Sequence, residues 1–248
     1  GVADEDLYTL SLKRFDDAYK AHKPFFAHVM TTSNHRPYTF PEGRGPWPQH
    51  VRQSAVLYTD WAIADFLKRA RSKPWFADTV FIVTADHCAQ SAGKAALPVF
   101  RYHIPMWVYS PGNIAPGRFE GLMGQIDVAP TLLGLLGFDY DSRFYGVDVF
   151  EHAPERAFVG TYQLLGYLKA DRLVQLSPHR HVATLKPAML HDELQADVAE
   201  DPHTTLQAIS AYETAAHAFQ HGDMGRRIPA TEGNASSVAT TARLGAAP

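Results

Sequence analysis

The apolar positions of this chain fall into short runs separated by polar loops, and their periods alternate between helix and strand. Asp4 to about Lys20 predicts a helix, with Leu7, Leu10, Leu12, Phe15 and Tyr19 as its apolar face. Asp4 is the expected N-cap, Glu5 and Asp6 suit the positive helix start, and Pro24 ends the segment. Phe25–Met30 reads as a buried strand running into the polar stretch Thr31–Tyr38. Val51–Arg71 predicts a second helix with Val56, Ile63, Leu67 and Ala70 on one face; prolines and glycines around Trp47 mark the loop before it. Thr79–Val83 is a run of β-branched and aromatic residues, the signature of a buried strand in a parallel sheet. Ile104–Tyr109 is a third strand, and Val128–Leu136 a short helix that tolerates Pro130 in its first turn and stops at Gly137.

Beyond Ala157 the texture changes. Ala157–Tyr162, Leu164–Ala170 and Arg172–Leu176 predict short strands, the last two turning at 169–172, as in an antiparallel hairpin. Asp192–Gln220 is expected to be helical with a break at Pro202, and the Ala-, Thr- and Ser-rich tail 226–248 to be disordered. The resulting organisation is an α/β core over 1–150, antiparallel strands with a short helix over 151–200, a helix over 201–225, and the tail. The fold class is an α/β sandwich with a central, mostly parallel sheet plus a C-terminal antiparallel hairpin. The strand count suits an incomplete domain.

Composition narrows the function. A net charge of −3 gives no footprint for nucleic acid. Thirteen histidines are many for 248 residues and favour metal or proton chemistry. The lone Cys88 excludes an internal disulfide. The longest apolar stretch, Val128–Phe138, falls short of the ~20 residues of a membrane helix. An opening on Gly1 rather than Met hints at a fragment or a processed chain.

Two polar loops carry candidate chemistry, Thr31–Tyr38 and Thr84–Lys94. Asp86 and His87 follow an apolar strand, at the edge where α/β sheets bind ligands. A hard oxygen beside an imidazole suits Mn²⁺, Zn²⁺ or Fe²⁺ better than Ca²⁺. The bland alternative is a turn-capping Asp beside a surface His. His35 could hold an anionic oxygen or act as general acid, or be a turn residue. Lys94, after Gly93, could reach a phosphate or sulfate, or be a solvated lysine. Arg36 could be surface. Arg101 and His103 precede a strand and are less directly placed; His103 could also lie satisfied under the sheet. Two ligands are fewer than the three or more usual for a catalytic metal, and no nucleophile motif is present.

In order, the chain contains FFAHVMTTSNHRPYTFP, FIVTADHC, SAGKAALP, RYHIPMWVYSPG and GQIDVAPTLLGLLG. Together these resemble the C-terminal half of the sulfatase-like domain of the lipoteichoic acid synthase and phosphoglycerol transferase family, within the alkaline phosphatase superfamily. The resemblance runs from Gly1 to about Leu176. It implies a metal-dependent phosphoglycerol transferase or sulfatase-like hydrolase acting on phosphodiester headgroups, with a phosphoglycerol lipid or another anionic ester as substrate. It implies a divalent metal, Mn²⁺ first, with Zn²⁺, Mg²⁺ or Ca²⁺ as alternatives, held in part by Asp86 and His87. His35, with Arg36, Lys94 and His103, would bind substrate. The family's threonine nucleophile and first-strand carboxylate have no match here, so this chain alone is expected to be inactive and to need an N-terminal segment of the same protein. The family's setting is extracytoplasmic, here the periplasmic face of the inner membrane, through an upstream anchor absent from this chain. The alternatives are a sulfatase or a phosphodiester or phosphonate hydrolase, and a non-catalytic binding domain.

Overall fold

In a computed structural model, which describes residues 2–226, the chain forms two compact units. The first comprises Gly1–Phe81 and returns for Ser110–Gly112; the second comprises Ile82–Tyr109 and the chain from Asn113 onward. The tail beyond Arg226, expected to be disordered, lies outside the described residues.

The first unit is a pair of helices, α1 (Asp4–Lys20) and α2 (Arg52–Ala70). The helices are where the apolar spacing placed them, but their faces are shifted. On α2 the buried positions are Ser54, Ala55, Tyr58, Ala62, Phe66 and Ala70, whereas Val56 is 47% exposed. The small alanines let α1 approach, and the aromatic rings fill the seam: Tyr8 stacks on Phe66 and Phe40 on Tyr58, at centroid distances of 4.7 and 4.9 Å. On α1, Tyr8, Ser11 and Leu12 are buried, and Leu10 is outside. The N-cap is Ala3 rather than Asp4, which is the first helical residue and fully buried.

Phe25–Met30 is not the buried strand its composition predicts. It joins no ladder among the described residues, and Phe26 is 82% exposed. Phe25 is stacked on Phe15 at 4.7 Å and edge-on to Trp75 at 5.8 Å. The loop that follows is therefore not anchored by a sheet. Unit 1 closes with a latch from its returning segment, where Ser110 Oγ donates to the Thr79 carbonyl at 2.9 Å.

The predicted apolar strand appears as β1 (Phe81–Thr84), paired with β2 (Met106–Tyr109). The Ser110–Thr79 bond joins the end of β2 to the start of β1. Thr84 Oγ1 donates to the Pro105 carbonyl at 3.1 Å and joins the opposite ends, so the two strands run antiparallel.

A short 3₁₀ turn, Gln125–Asp127, leads into α3 (Val128–Leu135), and Gly137 (φ 70°) ends it as expected. The buried Asp127 is the polar centre of the second unit. Its oxygens accept from Arg156 Nη1 and Nη2 at 2.8 and 2.9 Å, from the Gly124 amide at 2.8 Å and from the Val147 amide at 3.0 Å. Gly146 is required beside it, because a Cβ there would collide with the Ile126 carbonyl.

The hairpin grows into a four-stranded antiparallel meander, β3 (Arg156–Thr161), β4 (Leu164–Lys169), β5 (Arg172–Ser177) and β6 (His181–Leu185). Both faces are covered. Leu97, Val99, Ala157, Val159, Leu168 and Leu173 form one cluster; Tyr167 and Val174 meet Ala208 of α4 (Pro202–Gln220) on the other. Double coverage explains the unbroken burial of Gly166, Tyr167 and Leu168 along β4. The expected helix from Asp192 begins only at Pro202, capped by Asp201; residue 197 instead bridges to Leu185. Among the described residues no helix is long and apolar enough to cross a membrane.

Candidate functional site

The Asp86–His87 step lies two residues past the end of β1, where the strand has broken, so both side chains are free to turn the same way. They do: His87 Nε2 lies 3.4 Å from Asp86 Oδ2, and both side chains are about 70% exposed (72% and 71%). The local bonds fix the imidazole's tautomer. Its Nδ1 is 2.7 Å from the Cys88 carbonyl, which can only accept, so Nδ1 carries the proton. In the neutral imidazole the lone pair is then on Nε2, the nitrogen beside the carboxylate. Asp86 Oδ1 accepts the His87 amide at 2.9 Å, leaving Oδ2 towards the ring. The backbone is pinned from outside the loop: Gln125 Nε2 donates to the carbonyls of Ala85 and Asp86 at 3.0 and 2.8 Å.

This donor set fits a divalent cation in kind, a carboxylate oxygen beside a carbonyl-oriented imidazole. It falls short in number. Among the described residues no group of three or more His, Cys, Asp or Glu side chains is placed to hold a metal.

The loop after His87 is tied at its far end by Asp192. That carboxylate accepts the Lys94 amide at 2.8 Å and Arg101 Nη2 at 3.2 Å. The bond from the Lys94 amide, helped by Arg101 and opposed by partial burial, holds the Asp192 carboxyl below the usual range. A Cβ on Gly93 would meet both Asp192 Oδ1 and Pro98, which explains the glycine. Lys94 itself is exposed, whereas the Arg101 guanidinium is engaged by Asp192 and lies over the Phe100 ring. His103 is exposed at the end of the 3₁₀ turn Val99–Tyr102, not beneath a sheet.

In the first unit, Asn34, His35 and Arg36 form the exposed crest of a tight turn. The His35 amide bonds the Thr32 carbonyl at 2.9 Å and the Tyr38 amide bonds the His35 carbonyl at 2.8 Å. His35 Nδ1 lies 3.0 Å from the Arg36 carbonyl, which can only accept, so Nδ1 is the donor there and Nε2 is the second ring nitrogen. Below the crest, Asp4 Oδ1 accepts the amides of both Thr32 and Ser33 at 3.0 Å. At the other end, His50 bonds the carbonyls of Tyr38 and Pro37.

The structure thus brings Asp86 and His87 together and presents His35, Arg36, Lys94 and His103 at exposed positions. The groups that sequence reading missed are those that fix the loops: Asp4, Gln125 and Asp192. Gln125 had a signal, its place at the start of a short helix; Asp192 had none, being 98 residues from Lys94.

Residues 1–138 match the family described as Sulfatase. The chain is 23% identical over 199 residues to lipoteichoic acid synthase 1 of Bacillus subtilis, covering 70% of this chain and 30% of that protein. It is 25% identical over 219 residues to lipoteichoic acid synthase of Staphylococcus aureus, covering 75% and 34%. It therefore spans about a third of the length of these curated relatives. A crystal structure of an alkaline phosphatase superfamily protein from Vibrio parahaemolyticus superposes with a TM-score of 0.83 at 34% identity, over 90% of this chain and 55% of that one.

Proposed function

Because this chain belongs to the sulfatase family, we propose that it forms part of a metal-dependent enzyme that cleaves or transfers an anionic ester, with a phosphoglycerol headgroup as the substrate class. The observation that carries this reading is the Asp86–His87 step, with the imidazole Nε2 and a carboxylate oxygen 3.4 Å apart in solvent past a strand end. Asp86 and His87 would hold the cation, which when bound offsets charge on the ester's oxygens and lowers the pKa of a nucleophile. Gln125 keeps the step's backbone in place as ligand geometry requires. As the family resemblance implies, His35 and the Arg36 guanidinium would contact the substrate's anionic oxygens, and Lys94 would add charge. The similarity to lipoteichoic acid synthases favours phosphoglycerol transfer. The match to the Sulfatase family supports a second reading, sulfate-ester hydrolysis. In the proposal the remaining ligands and the nucleophile come from further sequence of the same protein, on the extracytoplasmic side of a membrane.

Mn²⁺ titration followed by NMR tests the site even where binding is weak. Paramagnetic broadening should strike the His87 ring first, and Asp86→Ala should abolish it. Broadening spread evenly over the thirteen histidines, or unchanged in the variant, would refute the metal assignment. In the whole enzyme, phosphoglycerol transfer and sulfate release are the competing assays; full activity of Asp86→Ala or His87→Ala in both would sink the reading.

A further inference from the structure

The buried Asp4 carboxylate is unusual for a residue at a helix start. A carboxylate in the first turn ordinarily bonds the free amides of its own helix. Asp4 instead faces away from α1, into the loop 28 and 29 residues further on. One oxygen takes both the Thr32 and Ser33 amides at 3.0 Å; the other takes the Thr59 hydroxyl of α2 at 3.3 Å. The contact is reciprocal, since the Asp4 amide donates to Ser33 Oγ at 3.2 Å. Asp4 is fully buried, and Ser33 is 6% exposed. A buried carboxylate is costly unless several donors satisfy it, and here the donors are the backbone of the loop that carries His35. Among the described residues, 25–30 bring no ladder to that end of the turn, which is otherwise tied by the His35 amide on the Thr32 carbonyl at 2.9 Å.

We infer that Asp4 is a positioning residue for ester binding: its carboxylate fixes the Thr32–Ser33 end of the turn so that His35 and Arg36 are presented in one orientation. His50 anchors the other end at Pro37 and Tyr38. The inference rests on the ester-binding reading of His35 given above. It makes a specific distinction between charge and geometry. In Asp4→Asn the amide oxygen can still accept both backbone N–H groups, and its NH₂ can donate to Thr59. The hydrogen bonds survive while the charge is lost. A buried negative charge does not by itself attract an anion, so Asp4→Asn should bind an anionic ligand as well as the wild type or better.

The test is NMR on the full chain, with sn-glycerol 1-phosphate as the probe and two readouts. Amide exchange at Thr32 and Ser33 reports the hold of Asp4 alone; the His35 ring shift on titration reports ligand binding. Asp4→Ala should speed exchange at both amides by at least about tenfold, and weaken the probe's dissociation constant by a similar factor. Asp4→Asn should keep both near wild type. If Asp4→Ala does not fold, Asp4→Glu takes its place, since it keeps the charge and displaces the oxygens by a methylene. Unchanged amide exchange in the perturbing variant overturns the inference. So does weaker binding in Asp4→Asn with the amides still protected, because charge would then be the cause. Faster exchange with no His35 response in the wild type overturns the ester-binding reading instead, and leaves Asp4 as the anchor of the turn.

Discussion

Replacing Arg156 by Leu should cost the second unit a large part of its stability. The guanidinium makes both parallel bonds to Asp127, at 2.8 and 2.9 Å, contacts the Tyr145 carbonyl at 3.3 Å and lies 5.2 Å from the Phe158 ring centroid. Asp127 is fully buried and the Arg156 side chain is 11% exposed, so screening by water is slight. Taking one partner from a buried pair costs ~3–5 kcal/mol, because the other is left charged in a low-dielectric site. Asp127 keeps two backbone donors, Gly124 and Val147, which places the loss near the lower end, about 3 kcal/mol. That corresponds to a Tm lower by roughly 6–12 °C for a protein of this size. Asp127→Asn alone should also be costly, since it strands the guanidinium. The double variant should lose less than the sum of the two, by ~1–3 kcal/mol. Urea unfolding followed by circular dichroism measures all three.

The pair also sets a pH dependence. Burial pushes the Asp127 carboxyl up, but the bonds from Arg156, Gly124 and Val147 together outweigh it and hold the group below its ordinary value. A folded-state pKa below the unfolded value of ~3.9 means that the stabilisation is present above that pH. It is lost as the pH falls through the folded value and the carboxyl protonates. Without Arg156 burial dominates, so the variant's Asp127 takes up its proton at a higher pH than the wild type's, and the gap between the two should be full near neutral pH and shrink as the pH falls through the two folded-state values. Additive single-variant costs, a loss under about 1 kcal/mol, or a gap that persists into strong acid would refute the reasoning.

Two further outcomes are expected. Burial raises the hydroxyls of Tyr8, Tyr58 and Tyr212 to about 12, so these rings should resist ionisation between pH 10 and 12 in the folded protein. Because the unfolded chain releases those protons near pH 10, stability should fall as the pH rises above 10; absorbance at 295 nm that titrates fully near pH 10 before unfolding would contradict it. Gly146→Ala should destabilise by ~1–3 kcal/mol through overpacking against the Ile126 carbonyl, read as a lower urea midpoint with an unchanged m-value; an unshifted midpoint would mean that the turn yields freely.

What the sequence made legible follows from range. The strands β3 to β5 could be placed to within a residue or two, since apolar runs and a two-residue turn at Ala170 and Asp171 are local signals. The next strand, β6, opens with His181 and is mostly half-buried, so it offers no comparable run. Helix ends were local too, but the buried face of α2 depends on where the Phe40 and Tyr8 rings arrive, which spacing within the helix does not state. Phe25–Met30 shows the opposite failure. Its residues favour a strand, and pairing, a property of the neighbours, decides whether one forms. The Asp86–His87 step was readable because it ends an apolar run. Asp4 was misread because an acid at a helix start has a cheap local explanation, and its real partners are remote.

The return of the chain to its first unit has a consequence for biosynthesis. Residues 82–109 must leave the ribosome before Ser110 can reach Thr79, a wait of roughly 1–6 s at ~5–20 residues per second. During that interval α1 and α2 can already pair, while β1 has no β2 to join. Completion of the amino-terminal unit is thereby tied to prior synthesis of the segment bearing Asp86 and His87. A nascent chain halted before residue 110 would hold the helices together but leave the Thr79 carbonyl without the serine hydroxyl that closes the unit.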